Sequence, residues 1–234
     1  MEGNSSKNKE LLKNTLIIFI GKFCTQFISF LLVPLYTKYL ITSDYGYVDL
    51  VLTYISLILP IVILRSDSSI FRYLIDERDN KKEREKTVTS LFVLIIIQIF
   101  ALLFLSTITN MVFKIQYIVS IILSTIMYAF SSMSLQYIRG IGDNTGYSIA
   151  SIISGVTTLI VNIILIVLLK VGGVSILIST IIANIFCVLY IAFRTKVYRE
   201  IRKESFSEKK LEKMLKYSIP MIPDRAFMVV DKCI

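Results

Sequence analysis

Six long apolar runs, separated by short polar stretches, give this chain its pattern. They lie at about residues 14–36, 46–64, 87–109, 117–136, 147–169 and 174–193. Each comes close to the ~20 residues that a helix needs to cross ~30 Å of hydrocarbon. Lipid offers no partners to backbone N–H and C=O groups, so such runs must be helices or a closed barrel. Their length and unbroken apolarity favour helices. The expected fold class is therefore all-α, a polytopic membrane protein of six transmembrane helices plus the start of a seventh. The expected organisation is a tail at 1–13, a six-span lobe at 14–193, a basic linker at 194–216 and an incomplete seventh span at 217–234.

Polar residues recur inside these runs at helical spacing. Lys22, Thr25, Gln26 and Ser29 stand at i, i+3, i+4 and i+7 in the first span, one stripe on an otherwise apolar helix. A lysine in hydrocarbon costs about 2.5–3.5 kcal/mol on insertion scales, so Lys22 should face a protein interior or a watery cavity. At 1.5 Å per residue it sits roughly 12 Å into the span. Ser124, Tyr128, Ser131, Ser132 and Gln136 continue the theme in the fourth span. Ser151, Ser154, Thr158 and Asn162 do so in the fifth, and Ser179, Ala183, Asn184 and Cys187 in the sixth. Small hydroxyl residues at such spacing more often pack helices than bind ligands. Lys22 and Gln26 are long, polar and costly in lipid, which points them towards ligand contact.

The connecting stretches set the orientation. Twenty of the Lys and Arg residues fall on the side that carries the N-terminus, against only Lys38, Lys114 and Lys170 on the other. The positive-inside rule then puts the N-terminus in the cytoplasm of a cell-membrane protein. Ser43–Leu50 reads as a tight outer turn around Gly46, Pro60 as a kink in the last turn of the second span, and 65–86 as a hydrophilic loop. In the basic linker, Ser205 and Glu208 have capping-box spacing, and Leu211, Met214 and Leu215 form a narrow apolar edge. Both features predict a short interfacial helix with some attraction to anionic lipid.

Composition narrows the chemistry. Hydrophobic residues make up 55% of the 234, and the mean hydropathy of +0.70 is that of an integral membrane protein. The formal charge of +9 lies in blocks between spans rather than interleaved with aromatics, so nucleic acid is not an expected partner and membrane lipid is. The absence of histidine removes His-based catalysis and His-metal sites. No metal or cofactor is expected. Cys24, Cys187 and Cys233 are isolated and read as small packing residues. Tyrosines near the span ends take the interfacial place of the missing tryptophan.

Arg65, Arg72 and Arg139 lie at the cytoplasmic ends of spans. Anchoring to lipid headgroups is the ordinary role of such residues, and capture of a phosphate or pyrophosphate is the functional alternative, for which a guanidinium fork is well shaped. Asp67, Asp76, Glu77 and Asp79 are available to pair with them.

Several stretches together resemble the N-terminal part of Wzx-type oligosaccharide flippases, the polysaccharide transport branch of the multidrug/oligosaccharidyl-lipid/polysaccharide (MOP) superfamily, which also contains the MATE carriers. They are Gly21-Lys22, Val33-Pro34-Leu35-Tyr36-Thr37, Asp44-Tyr45-Gly46-Tyr47-Val48-Asp49-Leu50 and Phe71-Arg72-Tyr73. Lys216–Asp231 is similar to the opening of that family's seventh span. The resemblance implies two helical lobes around a cationic cavity, of which this chain supplies the first. It further implies movement of a polyprenyl-pyrophosphate-linked glycan between leaflets, with other polysaccharide-assembly membrane proteins as partners. By the resemblance Lys22, Arg65, Arg72 and Arg139 match its cavity or mouth cations, and with Gln26 from the polar stripe of the first span they are the expected substrate-binding residues. Three alternatives stand beside it. A cation-coupled drug efflux carrier would want a buried carboxylate, and the spans offer only Asp49 near an outer end. A membrane-embedded glycan-assembly enzyme would want a large outer loop, which the chain lacks. A nonfunctional remnant of a longer gene would end in mid-span, as this sequence does.

Overall fold

A computed structural model describes residues 2–114 and 116–223. The expected incomplete seventh span falls largely outside these residues, as do Cys233 and the charged residues from Asp224 onward. Among the described residues there are helices and no strands, and six helices are long and apolar enough to cross a membrane. These six are α1 (Glu2–Tyr39), α2 (Thr42–Val62), α4 (Lys81–Phe113), α5 (Ile118–Gly140), α6 (Asn144–Asn162) and α7 (Val174–Thr195). Two shorter helices, α3 (Ser66–Asp76) and α8 (Glu208–Ser218), lie on the side that carries the basic segments. Helix α1 packs on α6, α6 on α7, α7 on α5 and α5 on α3.

Three local expectations are corrected. Residues 43–50 are not a turn, because only Leu40 and Ile41 separate α1 from α2 and Gly46 sits inside the helix. Asp44 in the first turn suits the positive end of the helix dipole. The stretch 65–86 is not a loop, for it contains α3 and the first turns of α4. Ser66, Ser69, Ile70 and Leu74 are all buried, the spacing of an amphipathic helix whose outer face takes the charge. The capping box at Ser205 does not form either. Ser207 precedes α8 without a side-chain cap, and its backbone N–H and C=O both bond to the Ser90 hydroxyl, each at 3.2 Å. Pro60 does lie in the last turn of α2, and the following backbone turns through left-handed conformations at Leu64 (φ 48°) and Arg65 (φ 54°).

The largest buried core lies at the basic end of the bundle, where Ile70, Leu74, Leu91, Tyr137, Ile138 and Met214 meet. The apolar edge of α8 is therefore spent on protein, through fully buried Met214 with Leu211 and Leu215 packed beside it. Polar contacts fasten the same arm. Lys210 bridges Glu77 and Glu83, and Glu77 also accepts from the Thr87 hydroxyl at 2.6 Å. Glu200 takes Arg84 at 2.6 Å and the Tyr137 hydroxyl at 3.0 Å. From α3, the Ser69 hydroxyl donates to the Met214 carbonyl at 2.8 Å and the Tyr73 hydroxyl to that of Lys213 at 3.2 Å. Elsewhere large apolar side chains such as Phe100, Phe104 and Phe193 stay exposed, as lipid-facing residues do.

The α5–α6 corner carries a titratable link. Asp143 caps α6 by accepting the Gly146 N–H at 2.8 Å and is held by Arg194 of α7 at 2.5 and 3.2 Å. The Arg194 guanidinium lowers the carboxyl below its ordinary value near 3.8. A lowered carboxylate contributes stability that is complete above the ordinary value and is lost as the pH falls through the lowered one. Asp143→Asn keeps a capping oxygen and loses the charge. Its melting temperature in detergent is expected to fall less than that of the unaltered protein between about pH 5 and about pH 3. An equal fall in both would show that the link carries no pH-dependent stability.

Candidate functional site

A cavity of about 960 Å³ runs between α1, α2, α5 and α6, with Asn184 of α7 and the start of α3 completing its wall. Close helix contact on one flank shapes it. A Cβ placed on Gly21 of α1 would stand 2.9 Å from the Cβ of Ser148 on α6, and the Ser148 hydroxyl donates to the Ile17 carbonyl at 2.8 Å. That small-residue contact sets α1 against α6 and turns Lys22, Thr25 and Ser29 towards the cavity. Hydroxyls line the opposing surfaces, among them Thr53, Ser56, Ser132, Ser151 and Ser154, with the amides of Gln136 and Asn184.

The expected binding residues divide into two groups. Lys22 and Arg65 both line the cavity. Gln26 does not: it is exposed, displaced around α1 towards the stacked rings of Phe19, Phe23 and Phe27. Arg72 is exposed and pairs with Asp76 at 3.8 Å. Arg139 lies over the Phe71 ring, 4.5 Å from its centre. Neither of these arginines is among the cavity-lining residues. Of the polar positions in the later spans, Asn162 and Ser179 bond to each other at 2.7 Å and join α6 to α7, a packing role.

Sequence reasoning offered Asp67 as a partner for the mouth arginines but did not place it in the cavity. It is buried, with 6% of its side chain exposed, and it lines the cavity beside Arg65, whose side chain is 11% exposed. Arg65 Nη1 is 3.4 Å from Asp67 Oδ2, and Nη2 donates to the Ser68 hydroxyl. Three buried polar atoms here have no hydrogen-bond partner among the described residues: Arg65 Nε, Asp67 Oδ1 and Gln136 Oε1. The available signal was the run Arg65-Ser66-Asp67-Ser68-Ser69 ahead of the amphipathic Ile70-Phe71-Arg72-Tyr73-Leu74, which marks a helix start more than a loop. The acidic and basic side chains of the cavity lining are thus those of Lys22, Arg65 and Asp67. Lys22 has no ion-pair partner among the described residues.

A family model described as polysaccharide biosynthesis protein matches residues 11–231. The chain belongs to that family. As a member of the polysaccharide biosynthesis protein family, it also shares a fold with solved transporters. The structure of MATE in complex with Br-NRF superposes with a TM-score of 0.78 at 16% identity, covering 95% of this chain and 57% of that one. A MOP superfamily transporter from Pyrococcus furiosus, described by the reversed polarity of its binding pocket, gives 0.71 at 14% identity, covering 94% and 53%. The outward-facing form of a multidrug resistance MATE transporter gives 0.70 at 16%, covering 94% and 53%. The chain therefore spans little more than half the length of these solved structures. No curated protein matches it. The fold is that of solved multi-pass membrane transporters, and six of the described helices are long and apolar enough to cross a membrane.

Proposed function

We propose that the full-length protein moves a polyprenyl-pyrophosphate-linked oligosaccharide across the cell membrane for surface polysaccharide assembly, by alternating access. The observation that carries this reading is the convergence of Lys22 and Arg65 on one hydroxyl-lined cavity. A pyrophosphate needs charged donors, and an Arg fork with a nearby ammonium supplies them. Sugars need many neutral donors and acceptors, which the serine and threonine rows supply. The prenyl tail stays in lipid. The N-terminus faces the cytoplasm, as the basic bias requires, so the headgroup enters from that side. Membership of the polysaccharide biosynthesis family supports the same substrate class.

A second reading rests on Asp67, since a buried carboxylate in the cavity is what a cation-coupled efflux carrier needs, and multidrug MATE transporters share the fold. One experiment separates the two. The full-length protein is reconstituted into vesicles loaded with a fluorescent prenyl-diphosphate-linked sugar, and its appearance in the far leaflet is followed. Protein-dependent translocation is the expected result. Vesicles that leave this lipid in place but expel a cationic dye under a Na⁺ or H⁺ gradient would overturn the flippase reading in favour of efflux.

A further inference from the structure

We propose that Asp67 is an exchangeable counter-ion for Arg65, holding the guanidinium while the cavity is empty and reclaiming it to expel a diphosphate headgroup. This inference rests on the anion-binding reading of the cavity. Arg65 and Asp67 are incompletely joined. Their contact is a single one of 3.4 Å, and the remaining Asp67 oxygen and Arg65 Nε have no hydrogen-bond partner among the described residues. A bidentate pair would satisfy both groups and resist displacement. This pair leaves donor and acceptor capacity unused in a buried place, where unused capacity is costly.

The backbone supports the same role. Arg65 follows Leu64 in a second consecutive left-handed conformation, unusual for residues with bulky side chains and typical of sites that store strain. That conformation brings the α2 end and the α3 start round one corner, so that Arg65, Asp67 and Ser68 lie together. Lys22 and Arg65 acting alone on a dianionic headgroup would make a trap, because two cations facing one diphosphate release it slowly. A carboxylate competing for one of them weakens the bound state and restores release. Asp67 touches Arg65 rather than the proposed substrate, so it is a positioning residue.

The test measures both affinity and turnover in the full-length protein, with a prenyl diphosphate as the binding probe and the vesicle assay as the second readout. Asp67→Asn is expected to tighten binding by about tenfold, the scale of one lost charged hydrogen bond, while translocation slows. Asp67→Glu should keep the original affinity. In Arg65→Gln/Asp67→Asn the gain should vanish, because Asp67 acts only through Arg65. Ser68→Ala keeps both charges, removes the other holder of the guanidinium, and is expected to tighten binding by a smaller factor. It serves if Asp67→Asn does not fold. Affinity unchanged or weakened in Asp67→Asn and Ser68→Ala, with the unaltered protein binding the probe, overturns the role of Asp67 alone. An unaltered protein that binds no prenyl diphosphate overturns the anion-binding reading as well.

Discussion

Lys22→Ala in the full-length protein is expected to abolish export of surface glycan while leaving the amount of protein in the membrane unchanged. Lys22 lines the cavity and has no ion-pair partner among the described residues, so its charge is available to a ligand. Alanine removes one of the two cations of the lining. The helix itself loses nothing by the change, since a lysine in hydrocarbon costs about 2.5–3.5 kcal/mol and alanine is the strongest helix former. A structural role for Lys22 would therefore lower abundance together with export, and a ligand role would separate them. Antibody staining of surface polysaccharide and immunoblotting of membranes read the two quantities. Unimpaired export would mean that the ammonium merely snorkels to the headgroups.

Gly21→Leu is expected to detach α1 from α6. Even the first added carbon would stand 2.9 Å from both Cβ and Oγ of Ser148 and 3.0 Å from its Cα, an atom that cannot turn aside. Overpacking of this kind costs about 1–3 kcal/mol for a few methylenes, and leucine adds four carbons. The Ser148 bond to the Ile17 carbonyl goes with it. Lys22, one residue on, would leave the cavity wall, so export should fall along with the midpoint of unfolding in detergent. Gly46 is the control. Nothing lies within 4 Å of the Cβ it lacks, so Gly46→Ala should stabilise α2 by about 0.5–1 kcal/mol through helix propensity alone. Equal loss at both glycines would refute the close-contact account of Gly21.

The two glycines also show what can be read from a sequence and what cannot. Six spans were legible because lipid imposes one requirement on all of them, a long apolar helix. Gly46 looked like a turn because glycine, aspartate and tyrosine cluster there, yet the helix simply starts earlier. Helix α3 was hidden by its charge: a short amphipathic helix on a polar surface has no long apolar run to announce it. The burial of Asp67 in the cavity wall was hidden with it, although its pairing with an arginine was not, because a carboxylate assigned to a loop is assumed to be solvated. Lys22 was found from the cost of burying charge, and Arg65 from its place at the cytoplasmic end of the second span. Gln26 was grouped with Lys22 by polarity, whereas the cavity face of α1, made by Lys22, Thr25, Ile28, Ser29 and Leu32, is centred near Thr25. At 100° per residue, Gln26 falls about a quarter turn away from that centre. Neighbouring helices, rather than the polarity of α1, decided where the face lies.

The fastening of residues 200–214 to α3 and α4 bears on whatever follows Ser218. A free linker of that length would let its two ends wander, and bringing them to a defined separation would cost chain entropy that grows with the logarithm of its length. Here that entropy has already been surrendered within the described bundle, through Glu200, Ser207, Lys210 and Met214. The chain at Ser218 is consequently held at a fixed place on the bundle, and a connection leaving it starts from a defined point instead of from the end of a wandering linker.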